Sequence, residues 1–209
     1  MVKKQPTYIY KMAGRVKEHM PEDMIKQIKI SQGDIEQTLR AMIDVLVDDI
    51  MDTGEGQLQG VVVLRVYEYD GRRYCNPNTG KYERTAPGLR VTASIASNVR
   101  NTVHGDENDY VLKPYTSTIA MAGRVRERIN CILPKDVVEQ IMVEFANTFI
   151  DDIMDNGIAR IPGILTLRVY KAHKRYLNNK THQMESYKSP YRLATSISPK
   201  LTAKVNSVN

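Results

Sequence analysis

Basic residues gather in two stretches of the chain. The first holds Arg65, Arg72, Arg73, Lys81, Arg84 and Arg90. The second holds Arg168, Lys171, Lys174, Arg175, Lys180, Lys188 and Arg192, with little opposing charge. Acids sit elsewhere, at Asp34, Glu36, Asp44, Asp48, Asp49 and Asp52, and again at Glu139, Glu144, Asp151, Asp152 and Asp155. Such separation concentrates positive potential on one part of a molecule, which is what binding to phosphate requires. Exposed strands also carry Lys and Arg to discourage edge-to-edge pairing, so charge alone leaves both readings open. Tyrosines are interleaved with the cations at Tyr67, Tyr69, Tyr74, Tyr82, Tyr170, Tyr176 and Tyr187. They could stack on bases or pack on sugars, but cross-strand pairs that stiffen a sheet are the simpler role.

Catalytic chemistry finds no support. The four histidines, His19, His104, His173 and His182, have neither a nucleophile nor a metal-ligand pattern around them. The paired carboxylates Asp48-Asp49 and Asp151-Asp152 fall on amphipathic segments, where a solvated face is the simple explanation. Cys75 and Cys131 form no disulfide framework and no metal spacing. The chain therefore reads as a non-enzyme with no cofactor and no metal, in a reducing, intracellular compartment. Apolar runs such as Val61-Val62-Val63-Leu64 are too short to span a bilayer, and no charged-then-apolar leader follows Met1, so no membrane association is expected. A net charge of +6 points to an acidic partner, with nucleic acid first.

The elements that carry these residues come twice. Met12-Ala13-Gly14-Arg15-Val16 recurs as Met121-Ala122-Gly123-Arg124-Val125, and Asp48-Asp49-Ile50-Met51-Asp52 recurs as Asp151-Asp152-Ile153-Met154-Asp155. Leu64-Arg65-Val66-Tyr67 returns as Leu167-Arg168-Val169-Tyr170, and Ser94-Ile95 as Ser196-Ile197. Matches in one order, offset by roughly 102 to 109 positions, indicate duplication of one unit. Two domains follow, 1–105 and 106–209, joined through the polar stretch His104-Gly105-Asp106-Glu107-Asn108-Asp109.

Each unit has the same order of elements. A short helical segment opens it, with Pro21-Glu22-Asp23 as its start in the first copy. A long helix follows. Its apolar stripe is Ile35, Leu39, Met42, Ile43, Leu46, Ile50 and Met51 in copy one, and Val138, Ile141, Met142, Phe145, Phe149, Ile153 and Met154 in copy two. Ser31 with Asp34 reads as a capping box, Pro134 suits a first turn, and Gly54 and Gly157 supply left-handed stops. The period then changes to two, with Leu64, Val66 and Glu68 alternating with Arg65, Tyr67 and Tyr69. Polar tips follow at Asn76-Pro77-Asn78-Thr79-Gly80 and Asn178-Asn179-Lys180-Thr181-His182, then a return strand and a terminal helix. The class is α+β.

In copy one, the capped helix from Ser31 to Gly54, the turn and strand from Leu58 through Gly60 to Val66, and the Asn76–Gly80 tip at its distance from Gly60 resemble the bacterial HU/IHF family of histone-like, DNA-architectural proteins. The openings, Tyr8 to Lys29 and Thr116 to Ile132, fit that family least. The resemblance implies tandem copies of a helical base carrying β-ribbon arms that hold double-stranded DNA and bend it with low sequence specificity. It implies that Pro77 wedges between base pairs, unstacking them in exchange for a bent duplex, with Asn76, Asn78 and Thr79 beside it at the tip. Family members need two subunits for one saddle, so the copies would form a pseudo-dimer within the chain, a homodimer being the other arrangement. A nucleoid-associated place in the cytoplasm, or a virion, suits that role. The sequence departs from the family where Tyr67 and Tyr69 stand at positions commonly arginine, which implies weaker binding. Copy two has Lys180 or a neighbour where the tip proline would be, which implies a kink on one side and a grip on the other. These departures also suit a structural or assembly protein that keeps the fold without binding DNA.

Overall fold

Ser31 begins the longest helix of the first half for a local reason. Its Oγ accepts a hydrogen bond from the Asp34 amide at 3.1 Å, while the Asp34 carboxylate accepts from the Ser31 amide at 2.8 Å. This reciprocal box satisfies amide donors that no helical turn can reach. The helix ends at Gly54, whose φ of +74° lets its N–H turn back to the Ile50 carbonyl at 3.1 Å. The second half builds the same helix with a different start. Pro134 stands at the N-cap itself, one position before the first helical residue, and Gly157 at φ +66° ends the helix.

The computed structural model describes residues 8–105, 116–129, 133–171, 176–178, 180, 182–185 and 191–207. Helices α1 (Tyr8–His19), α2 (Glu22–Ile28) and α3 (Gln32–Thr53) precede strands β1 (Glu55–Leu58) and β2 (Val62–Tyr69). A short ladder of β3 (Arg73–Cys75) and β4 (Tyr82–Arg84) leads to β5 (Gly88–Ile95) and α4 (Ser97–His104). The second half runs α5 (Thr116–Arg128), α6 (Lys135–Asn156), β6 (Ile158–Ile161), β7 (Leu165–Lys171), β8 (Tyr176–Asn178), β9 (Gln183–Glu185), β10 (Tyr191–Ile197) and α7 (Pro199–Asn206). This is a mixed α and antiparallel-β fold, as the pattern of periods implied. Of the polar connector, residues 106–109 lie outside the described residues.

The opening of the first half differs from the sequence expectation. Pro21 does precede a helix, but that helix is α2, and a longer one, α1, comes before it. The repeated Met-Ala-Gly-Arg-Val motif lies on α1 and α5, where Met12, Ala13 and Val16, and likewise Met121, Ala122 and Val125, are buried. Gly14 is where α1 meets α3: a Cβ there would come within 3.0 Å of the Gln32 side chain, which donates to the Tyr10 carbonyl.

Both long helices bury the expected stripes, with Ile43 and Met51 only partly covered. Met154 is the exception. It is 53% exposed and lines an open cleft with Val103, Tyr170 and Tyr191, while its neighbour Ile153 is buried. Phe145 and Phe149 fill the centre of the second stripe with ring centroids 6.3 Å apart.

The strands form antiparallel sheets in the orders β1-β2-β5 and β10-β7-β6, each with a left-handed glycine, Gly60 or Gly163, in its first turn. The halves interlock. Helix α1 packs on both α3 and α6, and α5 packs on both α6 and α3. Strand β5 approaches β10, α7 lies on β5, and α4 lies against α6 and β10. One apolar cluster runs through residues of both halves.

The paired carboxylates lie in this contact, which corrects their assignment to a solvated face. Asp152, 6% exposed, binds Arg15 of α1, and Tyr8 Oη donates to its second oxygen at 3.3 Å. Asp49 accepts from Arg124 of α5, with Nη2 to Oδ2 at 2.9 Å, and Asp48 pairs with Arg128. His19 lies 3.8 Å from Asp151 and its Nδ1 is 3.2 Å from Thr148 Oγ1. The two repeated motifs are therefore partners: the arginine of each copy reaches the carboxylates of the other.

Candidate nucleic-acid interface

Alternation along the strands decides which side chains face outward. On β2, Val62 and Leu64 are buried and Val66 half-buried against the helices, so Val63, Arg65, Tyr67 and Tyr69 face the opposite way. Their cross-strand partners on β5 are Ser94, Thr92, Arg90 and Gly88. The second sheet presents Thr166, Arg168 and Tyr170 beside Ser196, Ala194 and Arg192. With β5 approaching β10, the two outward faces abut. This surface brings together Arg65, Arg90, Arg168 and Arg192, each arginine beside or near an exposed tyrosine. Tyr67 and Tyr170 hold equivalent places and are both 51% exposed.

Two outward arginines differ in their surroundings. Arg65 faces Glu55 across β1, with Nε to Oε2 at 2.8 Å, and this carboxylate holds the guanidinium above its ordinary pKa. Arg168 faces Ile158, and no ion pair of Arg168 occurs among the described residues. Arg160 of β6 also points outward between buried Ala159 and Ile161. The sequence reading missed it, although the apolar-polar-apolar alternation of β6 marks it. At the seam of the sheets, Arg100, His104 and Arg192 line a cleft of about 320 Å³.

The first arm leaves this surface through a break in its ladder. Gly71, at φ +80°, sits so close to the opposite strand that a Cβ would meet the Thr85 carbonyl oxygen at 1.9 Å. Only glycine fits there. Arg72 and Thr85 close the joint: the Thr85 amide donates to the Arg72 carbonyl at 2.9 Å, and the Arg72 amide donates to Thr85 Oγ1 at 2.8 Å. Beyond it, β3 and β4 pair Arg73 with Arg84, Tyr74 with Glu83 and Cys75 with Tyr82. The Arg73 guanidinium lies 4.6 Å over the Tyr82 ring.

The tip is a closed turn. The Asn76 amide donates to the Lys81 carbonyl and the Gly80 amide to the Asn76 carbonyl, both at 2.8 Å, with Gly80 at φ +66°. Asn76 Oδ1 accepts from the Asn78 amide at 2.9 Å, an Asx turn that leaves the Pro77 ring exposed at the apex. Glu83 gathers the side chains behind it. Its carboxylate accepts from Tyr74 Oη and Asn76 Nδ2, each at 2.9 Å, and from Thr79 Oγ1 at 3.4 Å. These donors hold the Glu83 carboxyl below its usual range, Asn76 most, and the Glu83 carboxylate raises the Tyr74 phenol in turn. Sequence reasoning did not find Glu83, since only the register of β3 on β4 sets it against Tyr74.

Of the other sequence-derived candidates, Arg72, Arg73, Lys81 and Arg84 are exposed on the first arm, and Lys171 ends β7 exposed. Lys180 is exposed in the turn between β8 and β9, next to His182 at φ +54°. Lys174, Arg175 and Lys188, along with Asn179, Thr181 and Tyr187, lie outside the described residues.

Residues 16–104 match the sequence model of the bacterial DNA-binding protein family, the HU/IHF type. The matched stretch runs from within α1 to the end of α4. The match covers α3, the sheet and the whole first arm, including Pro77. No curated protein matches the chain. No described helix is long and apolar enough to cross a membrane, and no described group of His, Cys, Asp and Glu could hold a metal ion.

Proposed function

We propose that the chain is an architectural protein that binds and bends double-stranded DNA with low sequence specificity. The observation that carries this reading is the coincidence, within the family match, of an outward arginine-bearing sheet face and an arm tipped by an exposed, backbone-braced proline. The duplex lies on the outward face, where Arg65, Arg90, Arg168 and Arg192 neutralise phosphates. Pro77 enters the minor groove as an apolar wedge, held from behind by Asn76, Asn78 and Thr79. Arg72, Arg73, Lys81 and Arg84 contact the backbone along the first arm. Lys171, Lys174, Arg175, Lys180 and Lys188 do so along the second, where lysine grips phosphate without entering the stack.

The domains 1–105 and 106–209 act as one intrachain pseudo-dimer. The reciprocal pairs of Arg15 with Asp152 and Arg124 with Asp49 support this, since each half supplies both partner types to the other. Light scattering of the free protein should give the mass of a single chain, and a stable two-chain species would overturn the arrangement.

Fluorescence anisotropy with an intact and a pre-bent duplex across a salt series tests DNA binding. Tighter binding to the pre-bent duplex, with affinity falling steeply as salt rises, is expected. A second reading, an assembly role without DNA, is favoured by Glu55 against Arg65 and by tyrosines at Tyr67 and Tyr69. Absence of binding to either duplex at low salt would establish it over the first.

A further inference from the structure

The open edge of β5 is closed by one side chain from the far end of the chain. Leu89 turns its backbone N–H and C=O away from β2. Asn206, in the last turn of α7, meets both: the Leu89 amide donates to Asn206 Oδ1 at 2.9 Å, and Asn206 Nδ2 donates to the Leu89 carbonyl at 3.0 Å. A carboxamide offers an acceptor and a donor in the plane and spacing of a peptide group, so it pairs with one residue of a strand edge as a neighbouring strand would. Asn206 is itself oriented, since Nδ2 also donates to the Thr202 carbonyl at 2.8 Å. Buried Leu201 and Val205 seat the helix on the core.

The clamp falls at a mechanically sensitive place. Leu89 is the second residue of β5, immediately past the break at Gly71 and Thr85 where the arm changes from one ladder to another. Gly88 is enclosed on both sides: a Cβ there would lie 3.2 Å from Asn206 Oδ1 and 3.4 Å from the Tyr69 ring. The arm root is thus held between β2 of its own half and α7 of the other. In the second half His104 stands at the corresponding place in α4, and an imidazole does not offer the side-by-side acceptor and donor of a carboxamide.

We infer that Asn206 is a positioning residue that anchors the root of the Pro77 arm from the opposite half, setting the direction in which that arm meets its ligand. The inference rests on the DNA-binding reading for its consequence, but the clamp can be tested without DNA. Asn206 is exposed, so Asn206→Ala should leave the fold intact by circular dichroism. In the free full-length protein, hydrogen exchange at the Leu89 amide should quicken at least tenfold in Asn206→Ala. In Asn206→Asp, which keeps an acceptor for the Leu89 N–H and loses the donor, it should quicken by less. End-to-end energy transfer across a short labelled duplex at saturating protein should then lose at least half of its bending signal in Asn206→Ala, with Kd changed less than threefold. A merely structural residue would move melting temperature, or Kd and bending together.

Unchanged Leu89 exchange in Asn206→Ala would overturn the clamp. Faster exchange with full bending would overturn its positioning role. Failure of the unaltered protein to bind duplex would instead sink the DNA reading, leaving the exchange result to decide the clamp.

Discussion

The two halves share a framework and differ where they face outward. In the first, the arm apex is Pro77, the sheet arginine Arg65 is paired with Glu55, and the arm root is clamped by Asn206. In the second, the corresponding places hold Lys180 at the turn, Arg168 opposite Ile158, and His104 in α4. The helical cores show no such divergence: both long helices have 22 residues and both end on a left-handed glycine. Two halves that pack on each other both need an apolar stripe and docking charges, because loss of either costs folding. Their outward residues are under no such constraint. On the proposed function, the first half wedges and holds its arm rigid, while the second grips phosphate without a wedge.

The largest effect that would test this comparison lies at the shared contact. Removing Asp152 takes the carboxylate from a partly exposed Arg15 and the acceptor from Tyr8, so Asp152→Ala should cost about 2 kcal/mol in denaturant unfolding. The equivalent change Asp49→Ala frees a more exposed arginine and should cost under about 1 kcal/mol. Equal losses at the two sites would mean that the contact is used symmetrically after all.

Bending should be the next most unequal property. Pro77→Ala is expected to abolish most of the duplex bend seen by energy transfer, while Lys180→Ala leaves the bend nearly intact and weakens binding several-fold, by about 1 kcal/mol for a lost phosphate contact. Comparable bending losses from both would show that the second arm also deforms the duplex. On the sheet, Arg168→Ala should reduce affinity about fivefold and lower the salt slope by roughly one unit. Arg65→Ala should change affinity less than about twofold, because Glu55 already neutralises that charge.

The smallest effect concerns acid. The Glu83 carboxyl titrates below its usual range in the folded arm, so its contribution to the tip is complete above that range and disappears as pH falls through the depressed value. Amide signals of Asn78 and Gly80 in NMR spectra should therefore shift as pH falls through that depressed value. Glu83→Gln should remove that pH dependence, and a transition persisting in the variant would assign it to another group.

Much of this was legible from the chain alone. The long helices follow from 3.6-residue stripes closed by Ser31, Pro134, Gly54 and Gly157, and the arm from a period-two run interrupted by Asn76-Pro77-Asn78-Thr79-Gly80. These signals are local: a cap, a turn or an amphipathic face is decided by residues within a few positions of each other. The repeat was equally visible, since identity of sequence needs no geometry. The order of helices at the start of the chain was missed, although Ile9, Met12, Ala13 and Val16 recur at helical spacing and mark the buried face of α1.

What only the tertiary structure decided is who meets whom across the chain. Asp48-Asp49 and Asp151-Asp152 read as solvated acids until α1 and α5 were placed on the opposite long helices. Glu83 gained its donors from strand register, Met154 came to line an open cleft rather than the core, and Asn206 found Leu89 at 117 positions' separation. Residue type and spacing determine which segments form and which faces are apolar. The pairing of their polar groups depends on docking between segments, whose geometry no local pattern encodes.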